Sequence, residues 1–228
     1  MSPIYYDTET TGVRPAEDCI IEIAAFNAHS KQEFSMLVNP GRPIPKEATA
    51  IHGISDEMVA NAPSFAEVGQ AFIDFVGEDG VLIAHNNDNF DRHFLDNEAA
   101  RHNLVLPEWQ MVDTLKWARK YRTDLPRHSL QFLRQIYNIE ANNAHRALDD
   151  VKVLYQVFSQ MIDDLSIETV LELISDEPKG DTMPFGKHQG KALSEVPPDY
   201  IKWLAKQGAF DKPENSNLKS AFEKLGSL

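Results

Sequence analysis

Cysteine is nearly absent: Cys19 alone occurs in the 228 residues. That excludes an intramolecular disulfide and any zinc site built on two or more thiolates. No run of about 18 apolar residues occurs, so no membrane-spanning helix is expected. The opening Met-Ser-Pro-Ile-Tyr-Tyr-Asp lacks a basic segment followed by an apolar one, which argues against a secretory signal. A soluble, cytoplasmic protein is the resulting expectation. Positive charge is also scarce, 22 basic residues against 35 acidic ones for a net charge of −13. Such a balance opposes the wrapping of long polyanions by bulk electrostatics.

The charge is unevenly spread. Residues 183–228 hold seven lysines and five acids, a balance of +2, which leaves 15 basic and 30 acidic residues, or −15, for residues 1–182. Within the acidic part, Lys116, Arg119, Lys120, Arg122, Arg127 and Arg134 form a basic strip interrupted by Asp124 alone. The strip reads either as a solvated helix face or as a phosphate-contacting surface.

Apolar residues make up 42% of the chain and charged residues 25%, a globular composition. Runs at Ile4 to Asp7, Cys19 to Ala28 and Phe34 to Val38 are β-rich and closely spaced, which predicts antiparallel neighbours joined by hairpins. A rigid loop, Asn-Pro-Gly-Arg-Pro-Ile-Pro, covers Asn39 to Pro45, and a short helix start follows at Ser55. Ser64 is placed to cap a helix whose Phe65, Val68, Phe72 and Phe75 or Val76 share a face. Val81 to Ala84 reads as a buried strand. Helical spacing follows at Phe94, Leu95 and Ala99, then over Thr114 to Tyr121, Ser129 to Tyr137 and about Arg146 to Leu165. This order predicts an α/β domain with a mixed sheet and packed helices. Residues 175–182 have the composition of a linker. Beyond them, Phe185-Gly-Lys-His-Gln-Gly-Lys predicts a tight hairpin and Pro197-Pro-Asp-Tyr-Ile-Lys-Trp-Leu a helix start. The expected division is 1–174, 175–182 and 183–228, with the last piece docked on the first because about 45 residues rarely fold alone.

Three acidic clusters carry the chemistry. Asp7 and Glu9 lie at i and i+2 of a strand end and so point to one face, where paired oxygen ligands suit a hard divalent cation. Asp88 and Asp91 follow the buried strand, in Asn86-Asn-Asp-Asn-Phe-Asp. In the third cluster, His145-Arg-Ala-Leu-Asp-Asp, about 100° per residue puts Asp150 at the edge of the apolar stripe Ala147, Val151, Leu154 and Phe158. Asp149 falls nearly opposite. His145, just before that helix, suits a structural role as readily as a catalytic one. Four carboxylates and a histidine on segments that one sheet can gather are the equipment of two-metal phosphodiester hydrolysis.

These motifs resemble the DEDD superfamily of 3′-to-5′ exonucleases, the DnaQ-like group, in the subgroup whose last motif is His-x-Ala-x-x-Asp, here His145-Arg-Ala147-Leu-Asp-Asp150. The tyrosine-bearing subgroup is excluded, because Arg146 holds the tyrosine's position. Asp7-Thr-Glu9-Thr-Thr-Gly12, Ile51-His-Gly-Ile-Ser-Asp-Glu-Met, Ala84-His-Asn, Phe90-Asp91 and Asp113-Thr-Leu are similar as well. The interval from His85-Asn86 to Phe90-Asp91 is one residue longer than usual, so alignment on Phe-Asp-Arg selects Asp91, with Asp88 as fallback.

The resemblance implies a ribonuclease H-like fold with a mixed five-stranded sheet. It implies two Mg²⁺ ions (Mn²⁺ as substitute) on Asp7, Glu9, Asp91 and Asp150, and His145 as general base. Thr10, Gly12, Val13, His52 and Asn86 are the implied substrate-binding positions, with Arg14 beside them and His85 in support. DNA with a free 3′ end is the implied partner and nucleoside 5′-monophosphates the product. Two alternatives stand beside it, an RNA 3′-end trimming enzyme and a polymerase-associated proofreading subunit. A homodimer through the Thr114 to Tyr137 helices is a further option, with a substrate channel as its rival. The tail, with its two Gly-Lys pairs, resembles that of a bacterial DNA-degrading member of the family and suits either phosphate contact or docking.

Overall fold

A computed structural model describes residues 1–140, 146–175, 183–211 and 215–227. The chain divides into two compact units, Met1–Leu171 and Glu172–Leu228, and the division falls within one helix.

The first unit is built on a five-stranded sheet of order β3-β2-β1-β4-β5. Its strands are β1 (Ser2–Thr10), β2 (Ile20–Asn27), β3 (Glu33–Leu37), β4 (Gly80–Ala84) and β5 (Gln110–Asp113). The first three are antiparallel neighbours, as their close spacing predicts, whereas β4 runs parallel to both β1 and β5. Strand β4, Gly-Val-Leu-Ile-Ala, is buried along its whole length, the continuous apolar run expected of a parallel strand covered on both faces. The fifth strand is short and follows Pro107 and Trp109, so its residues carry no period that marks a strand by itself.

Helices cover both faces. They are α1 (Lys46–His52), α2 (Asp56–Val59), α3 (Phe65–Val76), α4 (Asp91–Arg101), α5 (Thr114–Tyr121), α6 (Leu130–Ile136), α7 (Ala147–Ile162) and α8 (Ile167–Ser175). Helix α3 begins at Ser64, whose backbone N–H and hydroxyl both donate to the Glu67 carboxylate at 3.0 Å. This is the carboxylate half of a capping box. Its buried face, Phe65, Val68, Phe72 and Val76, is the one predicted. Helices α1 and α8 were not foreseen. The first is only seven residues long and ends at Gly53, whose φ of 73° supplies a left-handed cap.

Alternation along β1 sets the two faces. Ile4 and Tyr6 join Phe65, Phe72, Leu82, Phe94 and Trp109 in one core. Tyr5 points the other way, its ring 5.2 Å from Tyr155 and 6.3 Å from Phe158 of α7. The carboxylates of Asp7 and Glu9 therefore extend the α7-facing side of the strand. No helix among the described residues is long and apolar enough to cross a membrane.

The second unit has its own core of Met183, Leu193, Val196, Ile201, Leu204, Phe210, Leu218 and Phe222. It contains α9 (Pro198–Lys206) and α10 (Ser216–Lys224). The predicted hairpin is a correction in detail: two backbone hydrogen bonds tie Met183 to Gly190 and Lys191, and the turn between is a 3-10 segment, Gly186–His188. With two glycines in five residues at positive φ, 76° at Gly186 and 80° at Gly190, the chain coils rather than laddering. Pro198 occupies the first turn of α9, where its missing N–H costs nothing.

Phe72 is fully buried and its ring lies 5.9 Å from Tyr6, 5.8 Å from Phe34 and 6.1 Å from Trp109. Phe72→Ala is expected to cost about 3–5 kcal/mol, read as a lower urea midpoint at unchanged slope. A loss under about 1 kcal/mol would mean that α3 does not seal this face of the sheet.

Candidate active site

Strand β4 pairs with β1 only from Ser2 to Tyr5. Beyond Tyr5 the edge of β1 is open on that side, and the start of α4 fills the space. There Asp91, the first residue of α4 and 2% exposed, accepts the Thr8 hydroxyl at 2.7 Å and the Thr8 backbone N–H at 3.2 Å. The opposite edge of β1 continues against β2 until a bulge between Glu9 and Thr10. Bulges of this kind end pairing and re-aim side chains.

Asp7, Glu9 and Asp150 bring carboxylate oxygens within 4.8 Å of one another. Asp150 reaches the cluster from the first turns of α7 and accepts Gln131 Nε2 at 3.0 Å. Asp149 is outside the cluster, although half-buried like Asp150. Asp91 stands apart from the trio's mutual contacts but is the strongest source of repulsion for Asp7 after burial itself. Asp88 is exposed, and its backbone N–H donates to Asp113. His145 lies outside the described residues; its neighbour Arg146 is the N-cap of α7.

Gathering these acids distorts their titration. Burial, then the charges of Asp150, Glu22 and Asp91, push Glu9 up to about 8. Burial and the charges of Asp91, Glu9 and Asp150 hold Asp7 well above the usual carboxylate range. Burial raises Asp91 to about 7 in spite of the Thr8 hydrogen bonds that favour its charged form. An all-oxygen donor set whose acids are buried and repel one another fits a hard divalent cation, which would relieve that repulsion.

Three further acids hold the arrangement, and none is distinguishable as an anchor from sequence. Asp113, at the end of β5 and 3% exposed, accepts backbone N–H groups from Leu115, Lys116, Asn86 and Asp88 at 2.8–3.2 Å. It caps α5 and fixes the connection that delivers Asp91. Glu22, 2% exposed and paired in register with Glu9, accepts Arg146 Nη2 at 3.2 Å and the Ala147 N–H at 3.4 Å. It thereby ties the start of α7 to β2. Glu98 of α4 accepts the Ile20 N–H at 3.0 Å and pairs with Arg101, whose guanidinium also donates to the carbonyls of Pro15 and Asp18.

That last network shapes an adjoining cavity of about 450 Å³, which shares Glu9 with the carboxylate cluster. Of the predicted substrate-binding positions, Thr10, Gly12, Val13 and His52 line it, together with Arg14, Ile51 and Phe90. Asn86 does not: its backbone is in the left-handed region at φ 72°, its N–H is held by Asp113, and its side chain accepts Asn89 Nδ2. His52 is buried and accepts the Ile54 N–H on Nδ1 at 3.0 Å, so the proton of its neutral form sits on Nε2. Val13 and Ile51 are 78% and 62% exposed, which gives the cavity solvent-facing apolar walls. The Asp18 carboxylate packs over Gly12, so a Cβ there would have to displace it.

The basic strip is narrower than its sequence suggests. Arg122 is engaged by Asp124 at 2.9 Å and by Tyr137, and Arg134 by Gln131 and the Ile139 carbonyl. Arg119, Lys120 and Arg127 are exposed.

A parallel-antiparallel sheet whose central strand ends in clustered carboxylates beside an open apolar slot defines a nuclease-type hydrolase class. Comparison with known proteins makes this specific. Residues 4–158 match the exonuclease family (RNase T), and the chain belongs to it. Residues 169–221 match a second family, described as "Putative quorum-sensing-regulated virulence factor".

The chain is 38% identical over 162 residues to the DNA polymerase III subunit epsilon of Treponema pallidum, covering 69% of this chain and 74% of that protein. It is 34% identical to the PolC-type DNA polymerase III of Caldanaerobacter subterraneus over 75% of this chain but only 12% of that protein. Among solved structures, exonuclease X in complex with 5′-overhanging duplex DNA aligns at a TM-score of 0.58 and 25% identity, over 75% of this chain and 99% of that one. Escherichia coli exonuclease I with a dA16 oligonucleotide shares the fold at a TM-score of 0.65 and 19% identity, over 75% and 42% of the two chains. The expected 3′-to-5′ exonuclease activity and the mixed five-stranded fold stand on these findings.

The raised carboxylates predict a pH dependence whose sign is fixed. A group whose folded pKa exceeds its unfolded value stabilises the fold below the unfolded value and loses that contribution as pH rises through the folded one. Metal-free protein in EDTA is therefore expected to melt at lower temperature as pH rises from the ordinary carboxylate range through about 8, the Glu9 value. Asp150→Asn should flatten the slope, and saturating Mn²⁺ should raise the melting temperature most at the alkaline end. A melting temperature that climbs with pH in EDTA would contradict the clustering of ionised acids.

Proposed function

We propose that this exonuclease acts on DNA, releasing nucleoside 5′-monophosphates one at a time from 3′ ends. The observation that carries the reading is the convergence of Asp7, Glu9 and Asp150 within 4.8 Å beside the slot that Gly12, Val13 and His52 line. In this reading the slot takes the terminal nucleotide, with Val13, Ile51 and Phe90 offering apolar surface to its base. Glu9, common to slot and cluster, lies where the last phosphodiester would meet the carboxylates. Asp7, Glu9, Asp91 and Asp150 would hold two Mg²⁺ ions, which when bound supply positive charge to the scissile phosphate and acidify water. His145 takes the proton of the attacking water, the P–O3′ bond breaks in line, and the penultimate nucleotide leaves with a free 3′ hydroxyl.

The anchors explain how the chain holds this geometry. Glu22 fixes Arg146, the residue between His145 and α7, while Gln131 orients Asp150 from α6. We place the protein in the cytoplasm, in keeping with a nucleic-acid substrate. A proofreading subunit is the second reading, favoured by the 38% identity to a DNA polymerase III subunit epsilon. Stoichiometric co-purification with a polymerase would select it.

A paired digestion tests the proposal, with one 3′-labelled oligonucleotide prepared as DNA and as RNA, in Mg²⁺ and in EDTA. Mg²⁺-dependent mononucleotide release from DNA is expected. Asp150→Asn should lower the rate about a thousandfold or more, since several kcal/mol of charge stabilisation are lost. Asp149→Asn should stay within about threefold of wild type. Faster attack on RNA would transfer the enzyme to 3′-end trimming, and equal loss in both variants would remove the assignment of Asp150.

A further inference from the structure

In the second unit, α9 carries an aromatic stack whose inner ring, Tyr200, is half-buried against the unit's core and whose outer ring, Trp203, is not part of that core. Ile201 and Leu204 point inward, at 1% and 4% exposure, whereas Trp203 is 51% exposed. The Trp203 ring stacks on Tyr200 with centroids 5.5 Å apart and planes inclined by 22°, and His188 meets the Tyr200 ring edge-on at 4.7 Å. The stack is built rather than incidental. Tyr200 Oη accepts the Lys187 N–H at 3.3 Å, and Gly186 at φ 76° leaves no room for a Cβ against that oxygen.

Lysines frame the rings. Lys206 lies one turn beyond Trp203 on the same side of the helix, Lys202 flanks it, and Lys187 sits on the turn beneath Tyr200, all exposed. Asp199 is the single acid of α9. This is the +2 segment of a chain whose remainder is −15. A singly exposed apolar side chain is ordinary on a protein surface; what marks Trp203 is its stacking on Tyr200 among exposed lysines. A π-face bordered by point-like cations matches one ligand chemistry, successive bases on a phosphate backbone.

We infer that the Trp203–Tyr200 platform with Lys187, Lys202 and Lys206 is a binding face for single-stranded DNA, built from none of the residues of the carboxylate site. It grips a strand by stacking and phosphate contact without reading sequence. The face needs no metal and no cleavage, so it stands or falls independently of the hydrolytic reading.

Fluorescence anisotropy of the full chain with labelled oligo(dT) in EDTA tests this. Trp203→Ala should weaken binding about five- to a hundredfold, the range for loss of one stacking partner, and Trp203→Phe should restore most of it. Lys202→Gln with Lys206→Gln should reduce the slope of log affinity against log salt by about 1.4. Trp109 and Trp117 are 8% and 2% exposed, so emission quenched by the strand belongs to Trp203 and should vanish in Trp203→Phe. Wild-type affinity in both the alanine and the lysine variants, with emission unchanged at saturation, would overturn the proposal and assign the face to a protein partner.

Discussion

Mutual repulsion among buried carboxylates is the constraint on which the first unit is organised. Asp7, Glu9, Asp91 and Asp150 converge where burial raises the cost of charge, and three of them titrate well above their ordinary range as a result. Left to local preference, such side chains would swing to solvent. The fold prevents this from outside the cluster. Thr8 clamps Asp91 from β1, Gln131 fixes Asp150 from α6, and Arg146 draws the head of α7 onto Glu22. The charges brought together are therefore held by neutral donors and by a cation one step removed. Acids that repel one another this closely are the condition that favours a divalent metal.

The adjoining slot is stiffened by the same logic. Residues 12–18 form a loop that could move freely, yet Arg101 holds the carbonyls of Pro15 and Asp18 while Arg42 holds that of Glu17 at 2.7 Å. Asp18 in turn accepts the Arg14 N–H and packs against Gly12. Carbonyl acceptors in a loop have no secondary-structure partners, so arginine forks supply them. Under the proposed function this rigidity would have a chemical use, since positioning a bound nucleotide contributes to rate only if the walls do not yield.

Much of this was legible in the sequence where the chemistry follows a local period. Asp7 and Glu9 are two apart on a strand, Asp150 sits at the edge of a helical stripe, and the face of α3 is spelled by its phenylalanines. Asp91 needed motif alignment, because its partner Thr8 is 83 residues away. What stayed hidden is tertiary. Glu22 stands in an Ile-Ile-Glu-Ile run like any strand acid, and nothing around Asp113 in the sequence shows that it accepts four backbone N–H groups. The basic strip looked continuous because nothing in the order of residues shows that Arg122 and Arg134 are spent on Tyr137 and Ile139. Asn86, a substrate-binding position only by family resemblance, does not line the slot, and its left-handed backbone serves the connection.

Acidity has two consequences for a protein that handles a polyanion, and they act at different ranges. At physiological ionic strength, exposed charges interact weakly beyond about 8 Å. The −15 of residues 1–182 is thus not felt as one repulsive field by an approaching strand; each segment meets only the groups beneath it. Under the proposed function, the exposed Arg119, Lys120 and Arg127 of the first unit and the lysines of the second would supply attraction locally, while the carboxylates are gathered where cations could neutralise them. Under the proposed function, the acids that would repel a phosphate by themselves are the ones that would present it to metal, so an acidic balance and a nucleic-acid substrate do not conflict.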